Sequence, residues 1–462
     1  WGRAALGACS VFQGGFTLEA AEAVLGPVLD AHPDAPWPMD AVQVLVDHCL
    51  VRVHEPLPGV ERFTLPATVR AFAADQHTDA TAAAAHAAYF ARFGDAGRMR
   101  QLTGSGGRAR TRLLALERDN LEAGARSAAR AADGPAAAGC ALAWSWLARS
   151  HGPFDEGARL LGQVLLLEGV PPLEAARLWR ACGLLQRLGG RLDAALDSFG
   201  EAATAFARMG DARHEGIVRG NRADVLSDQG ADAEATREYT RALALLGEDP
   251  ASEAVLRGNL ANLLRRMGDL DGAEAAYRGA LAVSRRLEDR RAVAMTQANL
   301  ASLLMDQGRL DAAEAAYADA LAATEAQDDV RTTSLLLGNL GLLHRARGNE
   351  AAAVEAFERA IARAREVGHP ANECLARGNL GDLWLDRGEL ARAEEQLSIA
   401  VALGDRALPL AGAAFRGSLG ELRVRQGNRA EGIALLRAAE AALDGRDPVE
   451  LAKVRDRLAR IG

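Results

Sequence analysis

The stretch RGNLANLLRRMGDLDGAEAAYRGAL, residues 257–281, decides the fold. Leu260, Leu263 and Leu264 follow the i, i+3, i+4 spacing of a helix that buries one face. Gly268 supplies the left-handed residue that commonly ends such a helix, and a second, alanine-rich amphipathic segment follows it. The stretch therefore predicts a helical hairpin.

The hairpin repeats along the chain. An alanine stands five residues after most of the turn glycines, a bulky residue four further on, and a second alanine three beyond that. Small residues let two helices approach closely, and the bulky side chain fills the space between repeats. The glycines are 38 to 40 residues apart: Gly152, Gly190, Gly230, Gly268, Gly308, Gly348, Gly388 and Gly427. This spacing predicts eight helix-turn-helix units over residues 137–441 and a capping helix over residues 442–462.

This pattern resembles the tetratricopeptide repeat, with leucines, turn glycine, alanine, aromatic residue and alanine at matching offsets. The period is longer than the commoner one of about 34 residues, and in this it is similar to the repeats of kinesin light chains and of bacterial signalling regulators. The resemblance implies a mostly α fold, a right-handed α-α superhelix (a solenoid) of stacked helix pairs.

Residues 1–79 differ from the repeats. Thr17 precedes an apolar segment in the position of a helix N-cap. Leu50 to Val53 and Arg62 to Leu65 read as the two strands of a small hairpin around a Pro-Gly turn. Three helices and this hairpin predict a winged-helix module.

Residues 80–136 form the segment between this module and the repeats. Within it, LTGSGGRARTR, residues 102–112, is glycine-rich but has no lysine and no preceding strand, so it predicts a flexible segment rather than a phosphate-binding loop.

The order of these parts resembles the region that follows the nucleotide-binding core of bacterial STAND-class, NB-ARC-like signalling ATPases. The matching stretches are VFQGGFTLEAAEAV, AVQVLVDHCLVRV and RFTLPATVRAFA. HAAYFARFGD and LALERDNLEAGARSAA resemble the helical linker of the same proteins, which implies a helical linker over residues 80–136. The resemblance also implies that a nucleotide-binding domain of the same full-length protein precedes Trp1. The scattered cysteines fit a reducing cytosol, so we expect a cytoplasmic protein. The places where relatives carry a nucleotide-sensing side chain hold Pro66 and Ala67, which argues against a nucleotide contact from this module.

Composition excludes several function classes. Lys453 is the only lysine among 54 basic residues, so the chain has no lysine for a phosphate-binding loop, and ATP or ADP is expected only in the missing N-terminal domain. A net charge of −8 and a third helix without arginine, PMDAVQVLVDHCL, argue against DNA binding. Scattered cysteines and histidines predict no metal site and small buried thiols. No stretch is long and apolar enough for a membrane span. We expect no enzyme activity and no cofactor in this chain.

A ladder of asparagines is the strongest candidate binding feature. Each lies nine residues before a turn glycine, and a glycine or alanine precedes it: Asn221, Asn259, Asn299, Asn339 and Asn379. Glycine costs a helix interior about 1 kcal/mol relative to alanine. In the tetratricopeptide fold this position faces the concave groove, where amides suit the backbone of an extended peptide. The alternative is that the amides bond neighbouring helices and the small residues serve packing.

Other residues are expected in the same groove, where they would select a ligand by charge: Asn262, Arg265, Arg266 and Asp382, together with Asp224, Asp306 and Asp386. Each of these, taken alone, also fits a solvated helix face. The functional hypothesis is the sensor arm of a STAND-type regulator that binds a protein or peptide. The alternative is a constitutive scaffold or a module for homo-oligomerisation.

Overall fold

The computed structural model describes residues 1–76, 80–103, 106–326 and 328–461. These residues form 25 α-helices, one short 3-10 helix and a single two-stranded sheet. They divide into two compact units, Trp1–Asp249 and Pro250–Gly462. In the described residues, no helix is both long and apolar enough to cross a membrane. The predicted mostly α fold is confirmed.

The first unit begins with three helices, the hairpin and a fourth helix. Their bounds are α1 Gly2–Cys9, α2 Leu18–Leu29, α3 Pro38–Asp47, β1 Arg52–Leu57, β2 Val60–Thr64 and α4 Ala67–Gln76. The Thr17 side chain accepts a hydrogen bond from the backbone N–H of Ala20 at 3.2 Å, which confirms the predicted N-cap. The strands pair antiparallel, with Val53 opposite Phe63.

The predicted strand bounds are wrong by one to four residues at each end. The first strand runs from Arg52 to Leu57 instead of Leu50 to Val53, and the second from Val60 to Thr64 instead of Arg62 to Leu65. The backbone N–H groups of Leu50 and Val51 both donate to the carbonyl of Leu45, at 2.9 and 3.2 Å. Cys49 adopts a φ of +60°. Leu50 and Val51 therefore belong to the turn that ends α3, and pairing begins only at Arg52.

The predicted linker is a set of packed helices. Their bounds are α5 Ala80–Ala91, the 3-10 helix Arg92–Gly94, α6 Ala96–Gln101, α7 Gly107–Ala115 and α8 Arg118–Arg130. The expectation of a flexible segment over residues 102–112 is wrong where the structure describes it, because α7 starts at Gly107. Residues 104 and 105 lie outside the described residues. A Cβ at Gly107 would overlap the carbonyl oxygen of Leu102, so this glycine permits a tight turn.

A buried ion pair ties this helical segment to the hairpin. The Arg62 guanidinium donates to both carboxylate oxygens of Glu117, to the carbonyl of Gly15 at 2.8 Å and to that of Leu116 at 3.1 Å. The side chain of Arg62 is only 2% exposed. One continuous apolar core runs through residues 5–185. The hairpin module, the linker helices and the first repeats therefore share a core.

Eight helix pairs follow, three in the first unit and five in the second. The first three are α9 Gly134–His151 with α10 Phe154–Leu165, α11 Pro172–Leu188 with α12 Leu192–Arg208, and α13 Ala212–Asp228 with α14 Asp232–Leu245. The next three are α15 Pro250–Met267 with α16 Leu270–Arg286, α17 Arg290–Asp306 with α18 Leu310–Glu325, and α19 Val330–Ala346 with α20 Glu350–Glu366. The last are α21 Pro370–Asp386 with α22 Leu390–Ala407 and α23 Pro409–Arg425 with α24 Arg429–Leu443; α25 Pro448–Ile461 ends the chain.

The repeat signature accounts for the pairs. The eight turn glycines have φ between +72° and +92°, the left-handed region that a side chain disfavours. Ala273, Tyr277 and Ala280 of α16 are fully buried, as are the residues at the same offsets in the neighbouring pairs. Within each unit the second helix of one pair packs on the first helix of the next.

The cysteines only partly follow the expectation of small buried thiols. Cys9, Cys140, Cys182 and Cys374 are buried, but Cys49 is exposed. Cys49 follows the last turn of α3, where its left-handed backbone turns the chain toward β1. Burial raises the pKa of the Cys9 thiol to about 12 and that of the Cys374 thiol to about 11.

Candidate functional site

The asparagine ladder lies on the first helices of five consecutive pairs, α13 to α21, and its members are half-buried. Asn221 accepts a hydrogen bond from Nε of Arg180 on α11, at 3.0 Å. Asn259 also takes part in an intramolecular interaction. Within the described ranges, the amides of Asn299, Asn339 and Asn379 have no hydrogen-bond partner. Asn221 therefore follows the alternative in which the amide bonds a neighbouring helix. The amides of Asn299, Asn339 and Asn379 keep their donors and acceptors available for a ligand.

The surroundings of Asn221 are basic. Burial, together with the charges of Arg149, Arg177 and Arg213, lowers the pKa of Arg180 to about 10. The amide oxygen of Asn221 accepts from this crowded guanidinium, which a neutral acceptor can do without adding a buried charge. This asparagine helps to hold the first unit together.

The glycines that precede the ladder differ in their surroundings. A Cβ at Gly258 or at Gly338 would meet no atom within 4 Å, so packing does not require glycine there. A Cβ at Gly378 would overlap the ring of Phe415. Most other glycines of the first helices of the repeats are like Gly378 and lie against a neighbouring side chain or backbone: Gly139, Gly183, Gly216, Gly341, Gly381, Gly412, Gly417 and Gly420.

The residue six positions before the turn glycine is polar where the bulky residue of the second helix is a tyrosine, and it is a leucine where that residue is a phenylalanine. Each tyrosine hydroxyl forms a hydrogen bond with the polar side chain at that position. The pairs are Tyr239 with Asp224 at 2.5 Å, Tyr277 with Asn262 at 2.5 Å and Tyr317 with Ser302 at 2.8 Å. Where the bulky residue is a phenylalanine, Phe199 or Phe357, the position holds a leucine, Leu184 or Leu342. The structure thus places Asn262 in a hydrogen bond within its own helix pair.

Arg265 is engaged in an ion pair between neighbouring first helices. Its Nε lies 2.5 Å from Oδ2 of Asp306. The same contact recurs two repeats away on either side, as Arg187 with Asp228 at 2.7 Å and Arg345 with Asp386 at 2.5 Å. Both side chains of each pair are about a third or more exposed, so each contributes no more than about 1 kcal/mol. Arg266 is exposed and has an intramolecular interaction of its own.

Asp382 is a polar residue at the same repeat position that has no tyrosine partner. Fifteen residues after it, where Tyr239, Tyr277 or Tyr317 would supply a hydroxyl, stands Leu397. Oδ1 of Asp382 is buried and has no hydrogen-bond partner among the described residues. Burial raises the pKa of Asp382, and the Ser418 hydroxyl opposes this effect.

Asp382 lies in the wall of a cavity of about 650 Å³ between α19, α21, α23 and the start of α25. The repeat pattern predicts Asp382 in the groove but does not predict this cavity. The signal that marks it is the combination of Asp382 with an aliphatic residue at position 397.

The repeat class follows from a comparison with protein families. Residues 252–326 and residues 333–367 match two family models, both described as tetratricopeptide repeat. The chain contains tetratricopeptide repeats. The first match covers α16, α17 and α18 with most of α15, and the second covers most of α19 and all of α20. A comparison with curated proteins gives no match.

Several solved structures resemble the chain. BtubC (BKLC) from P. vanneervenii is 24% identical over 46% of this chain and 90% of its own, with a TM-score of 0.41. A STAND protein with a tetratricopeptide repeat sensor, PH0952 from Pyrococcus horikoshii, is 13% identical over 86% of this chain and 62% of its own, with a TM-score of 0.49. A Rap protein complexed with Competence and Sporulation Factor is 15% identical over 70% of this chain and 97% of its own, with a TM-score of 0.45.

Proposed function

We propose that this chain is the ligand-sensing arm of a STAND-type signal-transduction ATPase. Its tetratricopeptide repeats would capture a peptide or protein on their first helices. The N-terminal helices and hairpin, which we interpret as a winged-helix module, would relay that event to a nucleotide-binding domain of the same full-length protein. The observation that carries the proposal is the pairing of unconstrained glycines, Gly258 and Gly338, with ladder asparagines.

Glycine at these two positions weakens the helix without serving the fold. Each glycine costs its helix about 1 kcal/mol relative to alanine, and no described residue outside the glycine's own helical turn comes within 4 Å of the position of the missing Cβ. Beside Gly338, the amide of Asn339 offers donors and an acceptor that the described chain leaves unused. The backbone of an extended peptide presents the complementary groups and needs a close approach.

The continuity of the first unit supports a relay. The hairpin, the helices of residues 80–130 and the first repeats share one core, and the buried pair of Arg62 and Glu117 fastens the hairpin to α8. Packed cores transmit small displacements because they have few alternative arrangements. A displacement of these first repeats would therefore move the hairpin with them.

The N-terminal module also offers apolar surface for a partner domain. Trp37 is 75% exposed and Phe72 is 63% exposed, and Met39 and Val53 are about half exposed. On α3, the exposed Gln43 donates to Asp47 at 2.8 Å, and no basic residue accompanies them on that helix. Exposed aromatic side chains with little positive charge favour a protein partner over DNA.

The test compares the wild-type full-length protein with the double variant Asn299→Ala/Asn339→Ala. Partners are recovered from a lysate of the source cells and quantified by mass spectrometry, and ATPase activity is measured with and without the recovered partner. Asp319→Ala, an exposed change on the second helix α18, is the matched control. We expect the double variant to lose both partner recovery and the ATPase response, while the control keeps both.

Two other results would count against the proposal. Equal recovery by wild type and double variant would remove the asparagine ladder from the binding surface. Loss of recovery with an ATPase activity that never responds to the partner would identify a constitutive scaffold instead of a sensor.

A further inference from the structure

The cavity at α21, α23 and α25 combines apolar walls with acidic groups. Its apolar lining includes Leu342, Leu375, Leu410 and Phe415. At about 650 Å³ it falls within the range of about 300–1,000 Å³ that is typical of ligand pockets. Every lining residue belongs to the second unit.

The charges of the lining do not balance. Five carboxylates and three cations line the cavity, an excess of two negative charges: Asp382, Asp386, Glu421, Asp447 and Glu450 against Arg345, Lys453 and Arg457. Each cation already has a carboxylate partner. The pairs are Arg345 with Asp386 at 2.5 Å, Lys453 with Glu450 at 2.6 Å and Arg457 with Glu421 at 2.9 Å.

The two remaining carboxylates have different surroundings. Asp447 caps the last helix, because its Oδ1 accepts from the backbone N–H of Glu450 at 3.0 Å. Asp382 has a buried oxygen without any hydrogen-bond partner in the described structure. A buried carboxylate oxygen left unpaired is costly, so the site is complete only when a donor from outside the chain reaches it.

We propose that this cavity binds the basic side chain of a protein or peptide partner, a lysine or arginine flanked by apolar residues, with its ammonium or guanidinium group donating to Asp382. The apolar lining receives the aliphatic stem and the flanking side chains, and the excess negative charge attracts the cation. The same excess negative charge would repel an anionic group. The amide of Asn379, which also lines the cavity, is placed to bond the backbone of the same segment.

This inference deepens the proposed capture of a peptide or protein and rests on it. It adds that the second unit selects a positive charge at one defined place. The ladder variants Asn299→Ala and Asn339→Ala lie outside the cavity lining, so a failure of the ladder and a failure of the cavity are separate results.

The binding test uses the full chain and two peptides that differ in one charge. The probes are acetyl-Ala-Leu-Lys-Leu-Ala-amide and the same peptide with glutamine in place of lysine. Their binding affinities are measured by calorimetry or by NMR. We expect the lysine peptide to bind at least about tenfold more tightly than the glutamine peptide, as for a charge-assisted hydrogen bond. In Asp382→Asn this preference should disappear. A Glu395→Gln variant, on the exposed side of α22, is the charge-matched control and should keep it.

Position 397 provides a second pair of variants that keeps Asp382 itself. In three other pairs a tyrosine hydroxyl satisfies the residue equivalent to Asp382. Leu397→Tyr should supply that hydroxyl from within the chain and weaken lysine-peptide binding several-fold. Leu397→Phe adds the ring without the hydroxyl and should weaken it less. Thermal unfolding of each variant verifies that the fold is retained.

The acidity of the site gives an independent readout. The carboxyl of Asp382 is surrounded by Ser418, Arg345, Arg457 and Asp386, and burial raises its pKa. Since only the ionised carboxylate attracts a cation, lysine-peptide affinity should fall as the pH is lowered through that raised pKa. Asp382→Asn should abolish this part of the pH dependence.

Three results would overturn the proposal. The first is equal affinity for the lysine and glutamine peptides. The second is an unchanged lysine preference in Asp382→Asn. The third is binding of 1,5-diaminopentane as tight as that of the lysine peptide, which would make the occupant a free amine. If Asp382→Asn loses the lysine preference while the ladder variant keeps its cellular partner, the cavity stands and the ladder fails.

Discussion

The junction around Arg62 and the cavity around Asp382 both bury charge, and they satisfy it in different ways. At the junction, Arg62 bonds Glu117 and two backbone carbonyls, while Asn120 donates to Glu117 at 3.0 Å and to the carbonyl of Gly15 at 2.7 Å. At the cavity, Oδ1 of Asp382 has no partner in the described structure. The first arrangement is closed within the chain, and the second is left open.

The difference separates a structural role from a binding role. A fully bonded buried network holds three segments in one arrangement, and it gains little from any outside group. A buried carboxylate oxygen without a partner beside a cavity destabilises the free chain, and a donor that reaches it relieves this cost. Four predictions test this contrast, beginning with the largest expected effect.

Breaking the junction should cost the most stability. Arg62→Met leaves the Glu117 carboxylate buried without its cation, and we expect a loss of about 3–5 kcal/mol in the free energy of unfolding. Urea denaturation measures it. The matched control is Arg126→Met, which removes partly exposed ion pairs to Glu122 and Glu156 and should change stability by at most about 1 kcal/mol. Similar losses in both variants would mean that the junction is not closed as described.

Acid should also weaken the junction through His86, which lies 3.4 Å from Asn120 and packs against Phe12 and Phe90. Burial lowers the pKa of His86 to about 4 from an ordinary value of 6.5. The unfolded chain therefore takes up the proton first, and the stability contributed by the neutral ring is complete above about pH 6.5 and lost as the pH falls toward 4.

This loss should amount to about 3 kcal/mol, at 1.36 kcal/mol for each unit between the two pKa values. The measurement is the free energy of unfolding from pH 4 to pH 7.5 for the wild type and for His86→Gln. The variant should show a shallower decline by that amount. Parallel curves would show that His86 does not titrate differently in the folded protein.

A tyrosine of the second helix pairs with a polar residue of the first, and a phenylalanine with a leucine. Breaking this match in either of two repeats should cost less stability than breaking the junction. Tyr277→Phe removes the donor to Asn262 and should cost about 1 kcal/mol. Phe357→Tyr places a hydroxyl opposite Leu342, whose side chain offers no acceptor, and should cost about 1–3 kcal/mol. Thermal or urea unfolding measures both. Stabilisation by Phe357→Tyr would show that the hydroxyl and its polar partner are not matched as the three observed pairs indicate.

The smallest effect concerns the glycines beside the ladder. Gly258→Ala and Gly338→Ala should each stabilise the free chain by up to about 1 kcal/mol, because alanine favours the helix and its Cβ meets no neighbour. Gly378→Ala is the control, and it should destabilise the free chain because its Cβ would overlap Phe415. If partner recovery also falls in the stabilised variants, the glycines serve the ligand; unchanged recovery would leave their cost without a functional reason.

Much of the repeat architecture was predictable because its causes are local. The left-handed glycine at position 268 and its equivalents, the leucine stripe and the alanine–aromatic–alanine spacing each depend on residues within one helical hairpin. The strand bounds and the segment at Gly107 were less predictable. There, contacts such as those between Leu50 and Leu45, or between Gly107 and Leu102, decide where the chain turns.

The candidate site depended more on distant partners. Asn221 and Asn339 occupy the same position of the repeat, yet Asn221 bonds Arg180 on the preceding first helix, 41 residues earlier. Asn262 and Asp382 also share one repeat position, and the identity of the residue fifteen places later decides whether each is satisfied.

The helix pairs follow from the sequence, because periodicity and turn chemistry act over a few residues. The use of polar groups within the fold depends on tertiary contacts, because hydrogen bonds and ion pairs require short distances between helices far apart in the chain. Those distances bury Arg62 against Glu117 and leave Asp382 open to a cavity.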